Sequence, residues 1–219
     1  MAYSGGEKGY EALVHLNLDR LRAAKIETDP YEFVIVPGFL SAESLRRINE
    51  TFPRIERGGS YPIEALEAGM TIKEVIDELD GPEFQAIIEE KFGIELAGRP
   101  KMYSLRGYTR RKDGQIHTDS KDKIITVLLY LNETWSDSGG RLRILRSGND
   151  LDDFVAEVPP DNGTLLVFKR SEVSWHGHHP FEGPRRSLQM NWMTSESSRG
   201  IHKVRHTISA TLKKLVAAE

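Results

Sequence analysis

The sequence predicts an α+β protein: an all-β core in the form of a double-sheet jelly roll, supported by helices that precede it in the chain. Three observations carry this. Apolar residues in the first hundred positions recur at helical spacing, the pattern changes after Pro100 to short β-rich runs separated by Gly, Pro, Asn and Asp, and about eight such runs follow. The segment 10–24 places Val14, Leu18 and Leu21 on one side of a helix, and Phe33-Val34-Ile35-Val36 before Pro37-Gly38 reads as a short strand. Ser41 caps a helix with the stripe Leu45, Ile48 and Phe52, and Leu40 before the cap can staple onto Leu45. Residues 71–79 form a further helix. After Asp80-Gly81-Pro82, the residues Phe84, Ile87, Ile88 and Phe92 fall at helical spacing, with Pro82 tolerated in the first turn and Gly93 ending the helix. The expected strands are 101–108, 116–117, 123–131, 141–146, 154–158, 164–168, 174–178 and 186–194, and 207–217 is expected to close the chain as a short helix. The organisation that follows is a mainly helical region 1–100 supporting a core 101–219, as one integrated domain.

Composition narrows the chemistry. The 219 residues are 38% hydrophobic and 29% charged, ordinary for a globular protein. No apolar run is long enough to cross a bilayer, and no basic segment leading into an apolar one marks a secretory signal, so the expected location is the cytoplasm. Cysteine is absent, which excludes disulfides, thiolate zinc sites, iron–sulfur clusters and cysteine nucleophiles; any metal must use nitrogen and oxygen ligands. A net charge of −3 makes nucleic acid an unfavourable main partner.

Within the β half, His117-Thr118-Asp119 sets two metal ligands two residues apart, so in extended backbone both leave the same face. A third ligand from a distant strand would complete a set of two histidines and a carboxylate on one face of iron(II), leaving the opposite positions open. His176 can supply it. His178 competes, since alternation sends both to one side. Arg186 lies ten residues after His176, beyond the turn 178–184, and its planar fork suits a carboxylate. Alternation groups Arg186 with Leu188, Met190 and Trp192 as an inward row, and groups Thr126, Leu128 and Tyr130 on the strand 123–131, where a hydroxyl and a phenol can join the arginine.

The order Tyr108, His117-Thr118-Asp119, Thr126, Tyr130-Leu131-Asn132, Gly139-Gly140-Arg141-Leu142-Arg143-Ile144, Trp175-His176 and Arg186 through Trp192 resembles the prolyl 4-hydroxylase-like group of 2-oxoglutarate and iron(II) dependent oxygenases. The resemblance implies a double-stranded β-helix, iron(II) held by His117, Asp119 and His176, and 2-oxoglutarate chelating the metal with its distal carboxylate on Arg186, assisted by Tyr130, Tyr108 and Thr126. It further implies dioxygen as oxidant, ascorbate as a candidate accessory, and hydroxylation of an aliphatic carbon with succinate and carbon dioxide as co-products. The substrate would be a protein side chain or a small metabolite. Asp119 argues against halogenation, because halogenating relatives have a small residue there.

Two other readings stand beside this one: a catalytically silent jelly-roll module that binds metal, and a metal-dependent dioxygenase that does not use 2-oxoglutarate. The second is opposed by the arginine beside Tyr130. Repair of nucleic-acid bases is opposed by the acidic balance and by the lack of a basic stripe with interleaved aromatics. The run Arg110-Arg111-Lys112 reads as a solvated loop.

Overall fold

The computed structural model describes residues 14–196. Four α-helices lie in the first half of these residues, with two short strands between them: α1 (Leu18–Ala23), α2 (Ala42–Glu50), α3 (Met70–Asp80) and α4 (Pro82–Phe92). Each terminus has a local cause. The Ser41 hydroxyl accepts from the Ser44 amide at the start of α2, Pro82 occupies the first turn of α4, and Gly93 ends it at φ 56°. Buried Leu45 and Ile48 of α2, Ile72, Val75 and Leu79 of α3, and Phe84, Ile87, Ile88 and Phe92 of α4 form the apolar faces.

The first helix is shorter than its sequence pattern. Residues 14–17 are not helical: Leu16 bridges to Leu40, the amides of His15 and Leu16 donate to the Glu78 carboxylate at 2.9 Å each, and Val14 is 72% exposed. Those non-local hydrogen bonds replace the helical ones, and Asn17 then caps α1 through its side-chain oxygen. The helix expected over 207–217, and the part of the first helix before residue 14, lie outside the described residues.

Nine strands follow from the chain's β-rich runs, again among the described residues: β1 (Phe33–Val36), β2 (Tyr61–Pro62), β3 (Lys101–Thr109), β4 (Lys123–Tyr130), β5 (Leu142–Leu145), β6 (Phe154–Val158), β7 (Leu165–Lys169), β8 (His176–Gly177) and β9 (Gly183–Met193). They build a six-stranded sheet in the order β1-β7-β4-β9-β3-β2 and a three-stranded sheet in the order β6-β5-β8, with these strands paired antiparallel throughout. The expected strand 116–117 is reduced to one bridge, His117 to His176.

The larger sheet is buried on both faces, and alternation sorts its residues between two different neighbours. Ile125, Val127 and Leu129 of β4, Leu165 and Val167 of β7, and Leu188, Met190 and Trp192 of β9 share one core with the helices. There Phe84 stacks on Trp192 at 6.1 Å between ring centroids and 9° between planes. The opposite positions, Phe33, Tyr130, Leu166 and Phe168, pack against Leu142, Ile144 and Val158 of the smaller sheet. The result is three layers: helices, large sheet, small sheet, with two sheets of a jelly roll facing each other across the second core. No helix among the described residues is long and apolar enough to cross a membrane.

Candidate active site

His117 sits on the connection between β3 and β4, His176 opens β8, and their backbones exchange two hydrogen bonds of 3.0 Å. That exchange brings the rings to 4.4 Å between centroids. Asp119, two residues beyond His117, turns into the same place, and one ligand atom from each of His117, Asp119 and His176 lies within 4.8 Å of the others. The imidazoles are oriented from behind. His117 Nδ1 donates to the Gln115 carbonyl at 2.8 Å and His176 Nδ1 to the Ser174 carbonyl at 3.0 Å, which leaves Nε2 of each as the nitrogen with a lone pair. His178 is outside this cluster; its Nδ1 donates to the His179 carbonyl, and its ring lies over Gly114.

Asp119 is buried with both oxygens held, Oδ1 by Lys123 Nζ at 2.8 Å and Oδ2 by the Thr126 hydroxyl at 2.5 Å. Thr126 in turn accepts from Asn191 Nδ2 at 2.8 Å, so a chain of three residues on β9, β4 and the loop fixes the carboxylate. Burial alone would raise the Asp119 carboxyl, but the Lys123 ammonium, His176 and the two hydrogen bonds outweigh it and hold the group well below the usual carboxylate range. Burial pushes His176 down to about 4, against the opposing pull of Asp119. The site therefore offers a carboxylate and a neutral imidazole at neutral pH, the forms a metal binds. Two imidazole nitrogens and one carboxylate oxygen converging from one side fit iron(II) with open positions.

A cavity of about 140 Å³ extends from this cluster between the two sheets. Its wall is the polar face of the large sheet: Thr126, Leu128 and Tyr130 from β4, and Arg185, Ser187 and Gln189 from β9. Arg185 is buried, its Nε donates to the Gly140 carbonyl at 2.7 Å, and its guanidinium lies 5.3 Å from the centre of the Tyr130 ring. Burial pushes the Arg185 guanidinium down and the Tyr130 phenol up, so the phenol stays protonated. The Tyr130 and Ser187 hydroxyls are buried and neither finds an acceptor among the described residues, Tyr130 having beside it only the Arg185 guanidinium, itself a donor. Unsatisfied buried hydroxyls cost about 1–3 kcal/mol each, so two of them beside a guanidinium describe a place shaped for an anionic acceptor.

Two expectations are corrected here. Arg186 does not face the cavity: it is half-buried on the helical side, its guanidinium bonded to Asn49 of α2 and 5.0 Å from the Phe52 ring centre. Arg186 does share a face with Leu188, Met190 and Trp192, but that face packs against the helices, and the polar face carrying Arg185 is the one that lines the cavity. Tyr108 is half-buried and also lies outside the cavity wall. The β3–β9 register shifts between Arg106 and Tyr108, so Arg106 and Thr109, three residues apart, both line the cavity and Tyr108 turns away. Thr126 lines the wall as expected, yet its hydroxyl is committed to Asp119. Arg185, Ser187, Lys123 and Arg106 escaped the sequence reading. The signal was there for β9 and β3, whose polar positions Arg185, Ser187, Gln189 and Asn191 alternate with apolar ones and pair across to Arg106 and Ser104.

Residues 102–194 match the family model described as the 2OG-Fe(II) oxygenase superfamily. No curated protein matches the chain. Among solved structures, a prolyl-4-hydroxylase from Pseudomonas putida is similar at 20% identity and a TM-score of 0.58, over 85% of this chain and 99% of that one. A prolyl hydroxylase from Trichoplax adhaerens, solved with a hypoxia inducible factor peptide fragment, is similar at 16% identity and 0.53, over 84% and 91%. HygX from Streptomyces hygroscopicus, solved with nickel and 2-oxoglutarate, is similar at 13% and 0.54, over 83% and 88%. At such identities the structural likeness is one of fold, the double-stranded β-helix, while the family match falls on the segment that carries the ligand cluster and cavity. Residues 102–194 thus match the 2OG-Fe(II) oxygenase superfamily, and that match, on the segment holding the His117, Asp119 and His176 cluster, supports a 2-oxoglutarate and iron(II) dependent dioxygenase.

Proposed function

We propose that His117, Asp119 and His176 hold the iron(II), that Arg185 with the hydroxyls of Tyr130 and Ser187 receives the distal carboxylate of 2-oxoglutarate, and that the enzyme hydroxylates an aliphatic carbon of a small metabolite or a protein side chain. The observation that carries this is the pairing, within one cavity, of the three-ligand cluster with a buried guanidinium flanked by two hydroxyls that lack an acceptor. Iron(II) with bound 2-oxoglutarate and dioxygen supplies the oxidising chemistry, with succinate and carbon dioxide as co-products.

The residues of the chain do the rest. Gln115 and Ser174 carbonyls lock the two imidazoles in the ligating tautomer. Thr126 and Lys123 hold Asp119 so that its orientation is set before metal arrives. Arg185, anchored on Gly140, orients the cosubstrate, and Leu128, Leu142 and Phe168 give its methylene chain an apolar wall. His178 lines the same cavity and is pushed down to about 4 by burial and by Arg185, so it faces the bound molecules uncharged.

The test is anaerobic titration of the purified protein with iron(II) and then 2-oxoglutarate, followed by visible charge-transfer absorption, and succinate release in air. Wild-type and His178→Ala protein should bind both. His176→Ala should lose the absorption and the turnover together. Metal binding without any response to 2-oxoglutarate would instead point to the silent module.

A further inference from the structure

Resting on the cosubstrate reading above, we propose that Arg106 recognises the substrate that is oxidised, and that this substrate carries a carboxylate which pairs with the Arg106 guanidinium. Arg106 lies on β3 across from Ser187 of β9, and its side chain lines the same cavity as the ligand cluster. The other charged groups of that wall have partners. Lys123 and Asp119 hold each other at 2.8 Å, Asp113 is clamped by Arg110 at 2.7 Å, and Arg185 sits on the Gly140 carbonyl beside Tyr130. The side chain of Arg106 has neither a hydrogen bond nor an ion pair among the described residues; the Arg185 guanidinium opposes its charge, while Asp113 and Asp119, each already paired with another cation, attract it without an ion-pair contact.

A guanidinium held in a pocket with no carboxylate of its own in contact is expensive, and a site that keeps one is built for an anion that arrives from outside. 2-Oxoglutarate does not fill that role. Its distal carboxylate is answered by Arg185, Tyr130 and Ser187, and its other end by the metal, which leaves Arg106 over when the cosubstrate is fully accounted for. The planar two-donor edge of arginine matches a carboxylate, and pairing there would fix one end of the substrate while an aliphatic carbon faces the metal. Thr109, Gly114 and His178 line the cavity near this position and supply an uncharged surround for the remainder of the molecule.

The experiment uses the full chain loaded with manganese(II) and 2-oxoglutarate and follows fluorine NMR of trifluoroacetate and of its neutral match, trifluoroacetamide. Saturable paramagnetic broadening of trifluoroacetate is expected in the wild type, with none for the amide. Arg106→Gln should weaken the trifluoroacetate response at least tenfold and Arg106→Lys by less, while 2-oxoglutarate affinity stays within about twofold in both. Displacement of trifluoroacetate by propionate but not by the capped peptide Gly-Asp-Gly would assign a free acid, and displacement by both an acidic side chain; either sustains the proposal. Equal responses in wild type and Arg106→Gln overturn it, as does a loss of 2-oxoglutarate affinity in that variant, which would give Arg106 to the cosubstrate. Melting without added anion provides a second check: Arg106→Gln should match or exceed the wild type, whereas a clear fall in Tm would make Arg106 a structural residue. Failure of the wild type to bind 2-oxoglutarate at all strikes the cosubstrate reading itself and is distinct from each of these results.

Discussion

Arginines 185 and 186 are neighbours in the chain and opposites in the fold, which permits a matched pair of substitutions. In Arg185→Gln the cavity loses a charge whose Nε is already used by Gly140, so the terminal nitrogens are what the cosubstrate would lose. Charge-assisted hydrogen bonds contribute about 1.5–3 kcal/mol, and 1.4 kcal/mol is a factor of ten, so the dissociation constant for 2-oxoglutarate should rise by roughly 10- to 100-fold. Arg186→Gln removes the contact with Asn49 and the stacking over Phe52 on the far side of the sheet. Its cosubstrate affinity should stay within about twofold, while stability falls by roughly 1–2 kcal/mol. Anaerobic absorption titrations give the affinities and urea unfolding gives the stabilities. A variant pair in which Arg186→Gln loses cosubstrate and Arg185→Gln keeps it would refute the assignment of faces.

Three further outcomes follow from the same contacts. Thr126→Val strips one hydrogen bond from Asp119 and leaves the Asn191 amide without its acceptor, so iron(II) affinity by calorimetry should fall about 10- to 100-fold with the fold retained; unchanged affinity would show that the hydroxyl does not orient the ligand. In the metal-free protein His176 and His178 are each held near pH 4, below the value of about 6.5 in an unfolded chain. Because protonation favours the unfolded state, the stability present above pH 6.5 should decline as pH falls from 6.5 toward 4, by up to about 3 kcal/mol per histidine, and a flat urea midpoint across that window would contradict it. Phe84→Ala opens a hole where two aromatic rings stack in the core shared by helices and sheet, and should cost about 3–5 kcal/mol by chemical denaturation.

Much of this architecture could be read from the chain because burial leaves a periodic trace. The stripes of α2 and α4 and the alternation of β4 are local, and they place the elements to within a residue or two. The candidate triplet His117, Asp119 and His176, which the structure brings together, was legible for the same reason, since two of its members sit two apart on extended backbone and the third precedes a distinctive turn. What alternation does not carry is which side of a strand meets which neighbour. In β9 both faces are covered, and taking the apolar row as the inner one selected Arg186 in place of Arg185. Tyr108 failed for another reason: a register shift against β9 lies just before it, and nothing in the β3 residues announces that slip. The extended segment 14–17 was missed because the Glu78 carboxylate that captures it is more than sixty positions away.

The grip of Asn49 on the outward arginine reaches further than one contact. Asn49 also donates to the Leu131 carbonyl, so the second helix is stitched to the sheet just behind the two strand ends that carry Tyr130 and the inward arginine. Trimming the molecule to residues 102–194 would unpick that seam and loosen the cavity wall from the rear, which makes the helices a brace for Tyr130 and the inward arginine without any of them lining the cavity.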